Sequence, residues 1–308
     1  MSQRLLGLSM GPTVDYVKVL PGCDDATMTT FALGLGCQKG GTSWLHDYLA
    51  ASSQCDPGFR KEYHVFDGLD LPSEAWMRRR VVARAAKAVD ALARGAAANA
   101  DALRQAAFYA DPETYLDYFT GLLARDGIRL TCDITPSYAL LPAARLAGIR
   151  EGFARRGVRT VPVFLMRDPV ERIWSMVRMN QQRRPEDFPG PTEDWVARLF
   201  ARDDHETRTR YDLTLAAMDE AFAPGEPWVG FYERLFDADV LADLCARLGI
   251  DQHAPDLDHV VNASPKGTPL PDALVARVAG HYRGVYDAVA ARFPDVDLGA
   301  LWPSSRFL

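Results

Sequence analysis

No stretch of this 308-residue chain approaches the ~20 consecutive apolar residues that a bilayer-spanning helix needs. Its first residues, MSQRLLGLSMGPTVDYVKV, contain one arginine and an apolar run too short and glycine-broken for a secretory segment. Cysteine is sparse: Cys23, Cys37, Cys55, Cys132 and Cys245 are odd in number and lack C-x-x-C spacing. A disulfide framework and a metal site are therefore not expected, and reduced thiols in a cytoplasm are. Neither sign of charge dominates, with 35 basic against 41 acidic side chains and a net charge of −6. That balance argues against nucleic acid or an anionic membrane as partner, while leaving room for a local basic pocket. Internal repeats and low-complexity linkers are also missing. One domain spanning residues 1–308 is the expectation, with 1–28 as an irregular lead-in. The nucleoside-triphosphate loop G-x-x-x-x-G-K-[ST] is absent as well.

What is present suits a globular chain: 48% hydrophobic and 25% charged residues, enough to bury a sizeable core. TTFALGLG (29–36), IRLTCDI (128–134), RTVPVFLM (159–166) and PWVGFYE (227–233) read as strands. Helical patterns alternate with them. TSWLHDYLAAS sets Trp44, Leu45, Tyr48 and Leu49 on one face, and DPETYLDYFTGLLARDG opens on Asp111 and Pro112. Residues 72–108 are rich in Ala and Arg, and Gly95 divides them into two helices. DPVERIWSMVRMNQQ has Asp168 as cap and Pro169 at its first position, and ALVARVAGHYRGVYDAVAARF reads as one last helix. Alternation of this kind predicts an α/β fold with a central, mostly parallel sheet flanked by helices.

Three segments carry candidate chemistry. In FALGLGCQKGGTSWLHDYL, a strand meets a helix through Lys39, Gly40, Gly41, Thr42 and Ser43. Amides at a helix N-terminus, a lysine and two hydroxyls suit a phosphate or sulfate group, although an ordinary glycine-rich turn has the same letters. In MRDPVERIWS, Arg167 stands at a strand end, where ligands gather in open α/β sheets, and Ser175 follows eight positions later. The plain alternative is an ion pair and a helix cap. In KEYHVFDG, Lys61, Glu62, His64 and Asp67 fall within seven residues. An extended backbone would turn Glu62 and His64 to one side, where a carboxylate and an imidazole can share acid–base work. A charged surface loop would look the same. If Glu62 is partly buried, desolvation raises its pKa, and Lys61 and Lys39 pull it back.

Taken together and in this order, the segments resemble the sulfotransferases that use 3′-phosphoadenosine 5′-phosphosulfate (PAPS). CQKGGTSWL is similar to that family's 5′-phosphosulfate loop, RDPVERIWS to its 3′-phosphate motif, and KEYHVFD to the K-E-x-H-x-F-D stretch of its heparan-sulfate and carbohydrate branch. DITPSYAL (133–140) resembles the E-K-[ST]-P-S-Y segment of that branch, with Asp133 and Ile134 in place of its Glu and Lys. FYERLF (231–236) resembles the Y-E-x-L strand end near the adenine. The resemblance implies a P-loop NTPase-like sulfotransferase fold and transfer from PAPS to a hydroxyl, or in second place an amine, of a carbohydrate or small alcohol. No metal is implied. By the same resemblance Lys39 stabilises the leaving phosphate, Glu62 is the base with His64 as second choice, and Arg167 and Ser175 hold the 3′-phosphate. Trp44 stacks on adenine with Tyr232 nearby, and Lys266 and Gly267 of ASPKGTPLP clamp the 3′-phosphate. The helices of 72–126 would form an insertion over the acceptor site. A P-loop kinase and a non-catalytic nucleotide-binding protein share the strand–loop–helix geometry and stand as alternatives.

Overall fold

A computed structural model describes residues 28–256 and 269–308. The lead-in up to residue 27, with Cys23, and the Lys266–Gly267 loop lie outside the described residues. Strand β1 (Thr30–Gly36) leads into α1 (Thr42–Ala50), and a short α2 (Phe66–Asp70) follows. Then come α3 (Ala75–Ala93), α4 (Ala100–Ala110), α5 (Glu113–Leu123), β2 (Leu130–Ile134) and α6 (Ala143–Ala154). Strand β3 (Arg159–Met166) precedes α7 (Pro169–Arg183), α8 (Thr192–Leu199), α9 (Asp203–Glu206) and α10 (Tyr211–Ala221). Strand β4 (Trp228–Phe231) precedes α11 (Ala238–Leu248), and α12 (Asp272–His281), α13 (Arg283–Arg292) and α14 (Leu298–Leu301) complete the order.

The four strands form one parallel sheet in the order β2-β1-β3-β4. Every residue of β1 and β2 is buried, as a parallel sheet covered on both faces requires. Alternation sorts their side chains. Phe31, Leu33 and Leu35 join one core with α5, α6, α7 and α10, while Ala32, Cys132, Ile134, Val161, Val163 and Leu165 join a second with α1 and α11. Pro162 stands in an inner strand, where a missing N–H would normally break a ladder. It is tolerated because β4 pairs with β3 only from Val163 onward, leaving β1 as the sole neighbour at that level.

The four expected strands are present, and the alanine-rich segment does divide at Gly95, whose φ of 69° suits glycine. Three expectations change. Residues 61–68 do not form an extended piece, since His64 has φ 53° and α2 begins at Phe66. The single last helix is two, parted at the buried Tyr282, whose hydroxyl donates to the Phe200 carbonyl. Asp111 does not cap α5 as the residue preceding it; Pro112 holds that position, and the Asp111 carboxylate accepts from the Glu113 amide.

Candidate active site

The β1–α1 loop is shaped by close packing. Cys37 N–H donates to the Leu165 carbonyl at 2.6 Å, pinning the loop to β3. Lys39 has φ 70° and Gly41 φ 89°. A Cβ at Gly41 would come within 2.8 Å of both Leu235 and Tyr232, so glycine is required by conformation and by space. Gly41 caps α1 without a side-chain hydrogen bond, and the first amides of the helix are left to other acceptors. Thr42 and Ser43 open that turn. Thr42 is buried, and its Oγ1 receives Lys61 Nζ at 3.4 Å.

Around this loop lies positive charge with few partners. The Lys39 carbonyl accepts from Arg167 Nη1 at 3.0 Å, and Lys39 Nζ lies 3.5 Å from Met179 Sδ. Burial lowers the Lys39 pKa to about 8, and repulsion from Arg167, Arg183, Arg178 and Lys61 adds to the shift. Arg167 closes β3 nearly buried, its guanidinium 4.3 Å from the centre of the Tyr232 ring and 3.4 Å from Glu171. Arg178 lies over Trp174, and burial depresses its pKa. Arg167 Nε and Arg178 Nε and Nη1 are buried with no acceptor. Unpaired buried donors are costly, and these, from the β3 end and α7, fit the phosphate groups of a nucleotide donor. Ser175 is buried in the first turns of α7.

The second cluster is paired throughout. Lys61 Nζ bonds Glu62 Oε1 at 2.5 Å, His64 Nε2 bonds Glu62 Oε2 at 3.2 Å, and His64 Nδ1 bonds the fully buried Asp67 at 2.6 Å. Ser137 donates to Asp67 as well, and Tyr109 donates to the His64 carbonyl. Burial alone would lower the His64 pKa, but Asp67 and Glu62 outweigh it and raise it to about 9. Burial alone would raise Glu62, yet the bonds from His64 and Lys61 bring it down to about 2. Lys61 pulls Glu62 down as expected, but His64 contributes in place of Lys39 and the two carry it below its ordinary value.

The backbone of this segment is held by the β2 end. Ile134 N–H donates to the Lys61 carbonyl, and Tyr63 N–H donates to Thr135 Oγ1 at 3.0 Å. Asp133 is fully buried and accepts from Thr135, Tyr115 and Tyr138, with burial raising its pKa to about 6. Gln105 of α4 donates to the Tyr63 carbonyl at 2.7 Å.

On the other side of the loop, Trp44 is buried with its ring stacked on Tyr48 and edged by Phe236. Phe236 is 38% exposed and also meets Tyr232, so it offers the open aromatic surface of this group. The structure thus gathers Lys39, Gly40, Gly41, Thr42, Arg167 and Tyr232 at one loop, and joins Glu62 to His64 beside it. Lys61 links the two clusters. Sequence reasoning assigned no role to Arg178, Arg183, Ser137 or Phe236. Arg178 falls three residues after Ser175 on α7, and that helical spacing was the available signal.

A cavity of about 860 Å³ opens beside the loop, walled by Gln38 of the loop and by Met176 and Met179 of α7. Trp76 of α3, Leu140, Leu141 and Leu213 add apolar surface to a lining that also holds Ser73, Asn180, Thr207 and Thr214. Among the described residues, no helix is long and apolar enough to cross a membrane.

No family profile and no curated protein sequence matches the chain. Solved structures do. A sulfotransferase from Alicyclobacillus acidocaldarius superposes with a TM-score of 0.53 at 16% identity, covering 86% of this chain and 95% of that one. The sulfotransferase domain of the curacin biosynthetic pathway gives 0.40 at 17% identity, covering 83% of this chain and 97% of that one. The sulfotransferase domain of the Synechococcus PCC 7002 olefin synthase gives 0.44 at 14% identity, covering 85% and 97%. At these identities the likeness is one of fold. The chain has the α/β architecture of the Alicyclobacillus sulfotransferase, a parallel sheet flanked by helices.

Proposed function

We propose that this protein is a sulfotransferase that moves a sulfuryl group from PAPS to an acceptor hydroxyl, in preference to an amine. The observation that carries the reading is the excess of positive charge that Lys39, Arg167 and Arg178 bring to the β1–α1 turn, with Glu171 as their acidic neighbour, next to a self-paired carboxylate–imidazole cluster. Backbone amides and Thr42 and Ser43 would hold the 5′-phosphosulfate. Arg167 and Ser175, with Arg178, would hold the 3′-phosphate, and Phe236, Trp44 and Tyr232 the adenine. The fold shared with the sulfotransferase from Alicyclobacillus acidocaldarius supports this reading.

In the transfer, the acceptor oxygen forms a bond to sulfur as the bond between sulfur and the bridging phosphate oxygen breaks. The electron pair stays on that oxygen, where Lys39 supplies a positive charge that acts mainly in the transition state. Glu62 takes the acceptor's proton. His64 is protonated at neutral pH and donates from both nitrogens, so it orients Glu62 and does not compete as base. Glu62 is a weak base while Lys61 bonds Oε1. Lys61 also reaches Thr42, so an anion on the loop draws it away and frees Oε1 for the proton. The helices of 72–126 buttress this segment through Gln105 and Tyr109 and line the cavity through Trp76, which supports a role over the acceptor.

The test is thermal. 3′-Phosphoadenosine 5′-phosphate should raise the melting temperature well above the shift given by 5′-AMP or ATP, a ligand at a hundredfold excess over Kd contributing ~2.7 kcal/mol. Arg167→Ala should abolish most of the difference. Equal shifts for 5′-AMP and the bisphosphate would overturn the donor assignment, and a magnesium-dependent preference for ATP would point to a kinase.

A further inference from the structure

We infer that the acceptor is a mid-sized, uncharged alcohol with an apolar body, received whole in the 860 Å³ cavity, and not a polyanionic glycan. The inference rests on the sulfotransferase reading and sharpens its acceptor. The cavity reaches the donor loop directly. Gln38 precedes Lys39 in the chain, and Met179, in its wall, places Sδ 3.5 Å from Lys39 Nζ. A hydroxyl at this end of the cavity would lie next to the loop that carries Lys39.

Size and lining then select the rest of the molecule. A cavity of this volume matches a whole small molecule, in the range of ~300–1,000 Å³ that such sites occupy. Leu140, Leu141, Met176, Met179, Leu213 and Trp76 give it an apolar wall, and methionines adapt to irregular apolar shapes. A polyanionic chain would need unpaired cations at intervals along its path, as the donor loop has for phosphate.

The cavity's cations are committed elsewhere. Arg208 bonds the buried Glu74, Arg210 forks onto Asp212, and Arg184 lies 3.7 Å from Asp187. His205, also in the wall, has its pKa lowered by burial. Asp203 and Asp204 add negative charge to the same lining. Sulfates or carboxylates on an acceptor would meet Arg208 and Arg210 already bonded to acids, and Asp203 beside them, with Asp204 held by Arg202.

The experiment uses full-length protein saturated with 3′-phosphoadenosine 5′-phosphate, titrated in thermal shift with cyclohexanol, 1-decanol, dehydroepiandrosterone and an unsulfated heparosan hexasaccharide. The same four are then offered with ³⁵S-labelled PAPS. Decanol or the steroid should raise the melting temperature further and accept label, and the hexasaccharide should do neither. Leu213→Lys and Leu140→Lys should each weaken the alcohol response by tenfold or more while leaving the nucleotide shift intact. Label on the hexasaccharide, no response to any of the three alcohols, or alcohol responses unchanged in both variants would each overturn the inference. A missing nucleotide shift would overturn the donor reading instead, so the two failures are told apart.

Discussion

Two clusters of charge meet at the β1–α1 loop, and they are built on opposite rules. In Lys61–Glu62–His64–Asp67 every charged group has an opposite partner within 3.2 Å, and its pKa shifts all favour the charged forms. Around Lys39, cations repel one another, Lys39 and Arg178 lose basicity, and buried guanidinium nitrogens lack acceptors. The first cluster is complete within the chain. The second is stable as built only because the fold forces it, and it gains most from an external anion. Burial of charge thus distinguishes a binding surface from a reacting one by whether the compensation is internal.

The comparison breaks most sharply at Lys39. Lys39→Met should lower kcat by ~10³-fold with modest loss of nucleotide affinity, because the amides and Thr42 remain while the charge on the leaving oxygen is lost. Steady-state kinetics beside nucleotide binding would check it, and near-wild-type turnover would make Lys39 a mere loop residue.

A smaller effect is expected in the paired cluster. Glu62→Gln should cost ~10²-fold in kcat with donor affinity little changed, and His64→Asn should cost less. The reverse ranking would make the imidazole the base. The outcome bears on the comparison directly, since Glu62 and His64 are bonded to each other and not to the donor loop's cations.

The smallest effect is on stability. His64 is raised from 6.5 to about 9, so its pairing contributes fully below pH 6.5 and is lost as pH rises through 9. Glu62 is lowered from 4.5 to about 2, so its contribution holds above pH 4.5 and is lost as pH falls through 2. Both are present between pH 4.5 and 6.5. Melting curves should therefore show wild type losing a few degrees more than His64→Asn between pH 6.5 and 9, and parallel curves would remove His64 from the ionic cluster.

Much of this was legible in the sequence, for identifiable reasons. A buried parallel strand is a continuous apolar run, so β1 and β3 announce themselves in FALGLG and VPVFLM. Gly41 marked the turn because no other residue fits there. The Glu62–His64 contact was expected from an extended backbone and arises from a different one, in which His64 takes a positive φ. The break at Tyr282 was hidden because both halves share helical composition, and the buried tyrosine that parts them contacts a residue 82 positions away. Arg178 was invisible for a related reason. On a helix surface an arginine is ordinary, and only the surrounding fold reveals that two nitrogens of this one are shielded without an acceptor.

Asp168, the cap of α7, has a consequence for the order of events on the ribosome. Its carboxylate accepts from the Ser304 amide and hydroxyl, while its own amide donates to Glu233, which also accepts from the Trp302 indole. The strand end that carries Arg167 is thus locked by a segment 136 residues downstream. At ~5–20 residues per second, translation needs roughly 7–27 s to deliver that segment after Asp168 emerges. During that interval the nascent chain has the sheet's first three strands but an unlatched arginine. The latch on the donor site's strand end therefore waits for Ser304, and a nucleotide can report on chains that include it.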